Sequence, residues 1–209
     1  YQPFSNVIHH EGISSGKDLN KGEKHYQVVN QTKFWKRWSD TLSKDHHPNG
    51  ENVFLARARL KKQKTILVAD NNVPQPDCDA GSRTMFQIIE VLVKNGINVV
   101  FWPLNQYRDP KYSKWLQRMG VFVTYSLGGG NTFKNWLEMY EKHLDGFIIG
   151  RPHVAAEMLP TIRSFSKNKI CFYGHDIHHL RLKIEKELKG ENPDLDKEIS
   201  YFEKLEKEI

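Results

Sequence analysis

The chain has 209 residues and a mass of 24.5 kDa, with 31 Lys+Arg against 25 Asp+Glu, a formal charge of +6 and an isoelectric point near 9.2. A hydrophobic content of 38% and a mean hydropathy of -0.65 suit a soluble globular chain and exclude a collagenous, mucin-like or fully disordered one. No apolar run approaches the ~20 residues of a membrane span, and two cysteines, Cys78 and Cys171, are too few for a disulfide framework, so a reducing, cytoplasmic setting is expected.

Tyr1-Gln2-Pro3-Phe4 has neither a charged n-region nor an apolar h-region, so no secretory signal is expected. The missing initiator Met points to a piece of a longer polypeptide. Val7-Ile8-His9-His10-Glu11-Gly12 reads as a short strand entering a Gly/Ser loop. A helix follows from about Glu23 to Ser43, carrying Tyr26, Val29, Phe34, Trp35, Trp38 and Leu42. Such an aromatic stripe is expected to pack on other protein surface. Residues 45–64 read as a linker, with turn chemistry in His47-Pro48-Asn49-Gly50 and one basic run, Arg57, Arg59, Lys61, Lys62 and Lys64. The run reads as a solvated linker or as a site of peripheral attraction to an anionic membrane surface. No zinc-finger or RNA-recognition signature accompanies it, so nucleic acid is not an expected partner.

From Thr65 onward, short apolar strands alternate with amphipathic helices. Strands are expected at Thr65–Ala69, Asn98–Leu104, Val121–Tyr125, Gly146–Gly150 and Ile170–Tyr173. Helices are expected at Ser82–Asn95, Pro110–Met119, Thr132–His143, Val154–Ser166, His178–Lys189 and Leu195–Ile209. In the first, Met85, Ile88, Ile89 and Leu92 recur at helical spacing, Ser82 is the expected cap and Gly96 the expected stop. Continuous apolar strands joined by helices specify an α/β, doubly wound, Rossmann-like parallel sheet of about five to six strands, with an N-terminal helical appendage. Ligands in such sheets bind beyond the carboxyl ends of the strands.

The strand ends therefore hold the candidate site residues. After the first strand come Asp77, Asp79, Gly81, Ser82 and Arg83. Gly81 and Ser82 bring backbone N–H groups to a helix N-terminus, and Arg83 is the expected clamp for phosphate or carboxylate. A capped acidic helix start accounts for the same residues. No G-x-G-x-x-G dinucleotide fingerprint is present. Gly128-Gly129-Gly130 follows the third strand, and Gly129 marks a place where backbone approaches a ligand closely or simply turns. The fourth strand leads into Arg151 and His153, and the fifth into His175, Asp176, His178, His179 and Arg181. Their spacing fits no zinc signature. It suits acid–base and hydrogen-bonding work on a polyhydroxylated ligand, or a polar helix cap.

Two resemblances emerge at these residues. Ile66–Arg83 (ILVADNNVPQPDCDAGSR), Ile148–His153 (IIGRPH) and Tyr173–Arg181 (YGHDIHHLR) resemble the N-terminal domain of family 4-like GT-B glycosyltransferases of bacterial O-antigen and capsule synthesis. Val7–Gly16 (VIHHEGISSG), with the spacing of Asn30, Phe34 and Trp38, resembles the tail of family 2, GT-A glycosyltransferases. The resemblances imply a GT-A tail over residues 1–44, the linker at 45–64, and a GT-B N-terminal domain over 65–209, cut before its last strand. They imply a nucleotide-sugar donor and a saccharide or lipid-linked acceptor, on the inner face of the plasma membrane. His175 and His153 are the implied catalytic residues. Asp77, Asp79, Gly81, Ser82, Arg83, Gly129, Arg151, Asp176, His178, His179 and Arg181 are the implied substrate-binding residues. No cofactor is implied for the α/β domain. His9 or His10 would join a Mn or Mg site only with the preceding GT-A domain, whose D-x-D motif is not present on a strand before them. The C-terminal GT-B domain is also missing, so no turnover is expected from these residues alone. A non-catalytic module binding a saccharide, nucleotide or protein partner is the alternative. A metal-dependent hydrolase built on His175, Asp176, His178 and His179 is a third reading.

Overall fold

The computed structural model describes residues 8, 18–47, 63–126, 132–190 and 193–209. The chain divides into two units, Tyr1–Gln63 and Lys64–Ile209. The candidates His9, His10 and Gly129, and the basic residues Arg57 to Lys62, lie outside the described residues.

In the first unit, helix α1 spans Gly22–Asp45, with Glu23 in its first turn and Lys44 in its last, each on the favourable end of the helix dipole. Helix α1 contains no buried residue. Phe34, Trp35 and Trp38 remain 55%, 58% and 43% exposed. Their spacing interleaves them with Lys33, Lys36 and Arg37, and the Arg37 guanidinium lies 5.4 Å from the Trp38 ring centroid.

The second unit is built on β1 (Thr65–Asp70), β2 (Asn98–Pro103), β3 (Phe122–Val123), β4 (Gly146–Gly150) and β5 (Lys169–Tyr173). All pairs are parallel and the spatial order is β3-β2-β1-β4-β5. The helices are α2 (Ala80–Lys94), α3 (Tyr112–Arg118), α4 (Phe133–Tyr140), α5 (Pro152–Phe165), α6 (His178–Lys189) and α7 (Pro193–Glu208), with a 3-10 turn at Glu141–His143. This is the expected α/β Rossmann-like sheet with a helical N-terminal part.

Strand β1 is central because its side chains are apolar on both faces. Val68 points into a cluster with Met85 and Ile89 of α2, Tyr112 and Leu116 of α3, and Phe101 of β2. On the opposite face Trp102 meets Phe133 and Trp136 of α4, with ring centroids 5.0 and 5.4 Å apart. Strand β5 ends the sheet among the described residues, and its alternate residues Lys169, Cys171 and Tyr173 are exposed. Only Phe122–Val123 of the longer third strand expected from sequence pairs as a strand. Beyond it, the Thr124 amide still donates to the Phe101 carbonyl at 2.9 Å.

The strand order sets the location of the site. From β1 the chain steps outward through β2 to β3, then crosses back to β4 on the other side of β1. The connections leaving β1 and β4 therefore run apart. They open a crevice at the carboxyl ends of these two strands, the topological switch point of a doubly wound sheet.

Candidate functional site

Asp70 closes β1, and it is the one charged residue of the run Thr65-Ile66-Leu67-Val68-Ala69-Asp70. Its side chain is 3% exposed. A carboxylate so buried needs partners. Its Oδ1 accepts from Arg151 Nε at 2.7 Å and from the Asn71 amide at 2.7 Å. Its Oδ2 lies 3.7 Å from His175 Nε2. Room for the carboxylate comes from Gly150, where a Cβ would stand 2.8 Å from Met85 Cε and 3.3 Å from Asp70 Cγ.

Arg151 follows β4 immediately and His175 follows β5 by two residues. Arg151 Nη2 extends to 4.0 Å from Asp79 Oδ1. Gly81, in the first turn of α2, faces all three groups. A Cβ there would meet Arg151 Nη2 at 3.2 Å, Asp79 Oδ1 at 3.3 Å and His175 Nδ1 at 3.4 Å. A guanidinium, a carboxylate and an imidazole thus converge on one point above a glycine.

The backbone is strained at this edge. Among the described residues the non-glycine positions with positive φ are Gln106 (49°), Arg151 (65°) and His175 (26°). Each follows the carboxyl end of a strand: β2, β4 and β5. Such conformations cost about 1–3 kcal/mol each and gather where function demands a particular side-chain aim.

Several sequence expectations are redrawn. The cap of α2 is Asp79, not Ser82. Asp79 Oδ1 accepts the Ser82 amide at 2.8 Å, and Ser82 sits buried inside the first turn. The reason is one of length: the helix begins at Ala80, two residues earlier than its apolar pattern. Burial works against ionisation of Asp79, yet the Ser82 hydroxyl and amide, the Arg151 charge and the Gly81 amide together hold its carboxyl below the usual range. The helix N-terminus is thus already occupied by a carboxylate. Arg83 Nε donates to the Pro76 carbonyl at 3.2 Å.

Asp77 belongs to a separate latch. It accepts from Lys111 Nζ at 2.7 Å and from the Tyr112 hydroxyl, tying the loop after β1 to α3. Lys111 and then Tyr112 lower its pKa to about 2, while Asp77 and then Cys78 push the Tyr112 phenol up to about 12.

His178 and His179 open α6, and Glu206 of α7 clasps them. The Glu206 carboxylate accepts the His178 amide at 2.7 Å and the His179 amide at 3.4 Å, and it contacts His179 Nδ1. His178 stacks on Phe202, with Asp176 Oδ1 3.0 Å from its Nδ1. Arg181 Nε donates to Asp176 Oδ2 at 2.7 Å. His178, His179, Glu206 and Phe202 hold α6 and α7 together, while Arg181 and Asp176 pair at the start of α6. His153 lies in the first turn of α5 with Nε2 3.2 Å from Asn71 Oδ1. Burial and then the Arg151 charge lower its pKa.

Of the residues singled out from sequence, Asp79, Gly81, Arg151 and His175 come together. Asp70 is the member of the site that the sequence reading does not single out. Its signal was a lone carboxylate ending an otherwise apolar central strand. Among the described residues no group of three or more His, Cys, Asp or Glu side chains is arranged to hold a metal ion, and no helix is long and apolar enough to cross a membrane. The fold and site define a parallel α/β sheet protein with a polar switch-point site. Comparisons with family models, curated proteins and solved structures return no match to this chain.

Proposed function

We propose that Lys64–Ile209 is the sugar-handling part of a glycosyltransferase, one that moves a sugar from a nucleotide-sugar donor to a saccharide or lipid-linked acceptor. The observation that carries the reading is the convergence of Arg151, Asp79 and His175 on Gly81, braced from below by Asp70. Two carboxylates against one guanidinium make a poor cradle for phosphate and a good one for hydroxyl groups. Each hydroxyl both donates and accepts, so a sugar ring can serve the carboxylate and the guanidinium together. Charge-assisted bonds of this kind orient the ring. The YGHDIHHLR and VPQPDCDAGSR segments support the same reading by resemblance. The donor diphosphate falls to the second domain that such enzymes carry, because the α2 N-terminus is filled by Asp79.

The test is a titration of the 15N-labelled protein with uridine and guanosine diphosphate sugars and with free hexoses. Selective shifts at the Gly81 and His175 resonances, lost in Arg151→Met, are expected. Resonances at the strand ends that stay still for every sugar reject the proposal. Shifts confined to the nucleotide, with no response to the sugar, also reject it.

A further inference from the structure

His175 is 9% exposed at its side chain, and its Nε2 is buried without a hydrogen-bond partner. The ring stands edge-on to Tyr173, with centroids 5.0 Å apart. Its two nitrogens face different chemistry. Nε2 turns inward, 3.7 Å from Asp70 Oδ2. Nδ1 turns to the space above Gly81, beside Arg151 Nη2 and Asp79 Oδ1.

We infer that Asp70 is a positioning residue for His175, keeping the imidazole proton on Nε2 so that Nδ1 presents its lone pair above Gly81. The separation of 3.7 Å is longer than a hydrogen bond, so the effect is one of charge and dipole. Both groups are buried, where screening is weak. An N–H directed at a carboxylate is favoured and a lone pair directed at it is repelled, whereas at Nδ1 the Asp79 carboxylate is offset by the Arg151 guanidinium, whose Nη2 lies 4.0 Å from Asp79 Oδ1. The other hydrogen bonds of a neutral imidazole decide which nitrogen carries its proton. Asp70 cannot rotate away, because its Oδ1 is held by two donors, Arg151 Nε and the Asn71 amide.

The lone pair at Nδ1 and the Arg151 N–H beside it then form an acceptor and a donor for one hydroxyl. That use rests on the saccharide reading above, whereas the tautomer does not. His175 holds this place with a positive φ of 26°.

The inference is tested by long-range proton–nitrogen correlation on the 15N-labelled protein at about pH 8, above the ordinary histidine range. His175 is assigned among the ten histidines by difference with His175→Gln. In the wild type, Nε2 is expected to be pyrrole-like and Nδ1 pyridine-like. Asp70→Asn gives the discriminating result. Arg151 Nε and the Asn71 amide are both donors, so they retain the carboxamide oxygen at the Oδ1 position. The new NH2 must then face Nε2, which has to accept. The proton is expected to move to Nδ1, changing the tautomer ratio by about tenfold or more. A purely structural role for Asp70 would leave the ratio unchanged.

A wild-type His175 protonated on Nδ1 overturns the inference without any variant, so the test survives a failure of Asp70→Asn to fold. A folded Asp70→Asn protein that keeps the Nε2 proton also overturns it. A tautomer that behaves as expected while no sugar perturbs it would reject the saccharide reading alone.

Discussion

The backbone at Arg151 lets strain be weighed against charge. Its φ of 65° and ψ of 140° fall in a region that glycine occupies freely and other residues at a cost of about 1–3 kcal/mol. The compensation is its Nε–Asp70 Oδ1 contact at 2.7 Å. Two unit charges about 4 Å apart attract by ~4 kcal/mol at an effective dielectric of 20. The Arg151 side chain is 25% exposed, so solvent screening reduces the loss on truncation to about 3 kcal/mol. Arg151→Ala removes the guanidinium and keeps the strained Cβ, so it is expected to destabilise by about 3 kcal/mol. Arg151→Gly loses the same pair and releases the strain. Glycine gives back about 0.5–1 kcal/mol through unfolded-chain entropy, which leaves it ahead of alanine by ~1 kcal/mol. Urea unfolding followed by near-ultraviolet dichroism reads this unit through the packed Trp102 and Trp136. An alanine variant as stable as the glycine variant, or more so, would refute the argument.

Other measurements bear on the remaining contacts. Asp79→Ala is expected to cost about 1 kcal/mol in the same unfolding assay, as loss of an N-cap does. Glu206 has burial against it, yet the His179 side chain and the amides of His178 and His179 lower its pKa below the ordinary 4.5. Its stabilisation is therefore complete above about pH 4.5 and fades as pH falls through the lower folded value. Glu206→Gln should flatten that acid limb and cost ~1 kcal/mol at neutral pH. Tyr112 has its phenol raised to about 12 by Asp77 and then Cys78, so absorbance at the tyrosinate band should show a late-ionising group. Its contribution is present below the unfolded pKa of 10 and lost as pH rises through about 12. In Asp77→Ala the late group should vanish, and its persistence would remove Asp77 as the cause.

What was legible in the sequence was whatever follows from local chemistry. Thr65–Asp70 and Asn98–Pro103 are short, apolar and β-branched, and only a sheet covered on both faces buries such runs. Met85 and Ile89 recur at helical spacing, and Gly96, with φ of 74°, ends that helix as expected. Arg151, His175, Asp79 and Gly81 were found because strand ends are where such sheets bind. The tertiary structure decided what depends on distant pairing. Asp79 took the cap from Ser82 because helix α2 starts before its apolar face does. Glu206, 28 residues along the chain from His178, drew His178 and His179 into a clasp between helices. Asp70 became the brace of the site because β1 lies between β2 and β4, which brings residue 151 within 2.7 Å of residue 70 across a separation of 81 positions. A carboxylate's partner is chosen by which strands lie side by side, and that order is set by burial of the whole sheet rather than by the residues flanking the carboxylate.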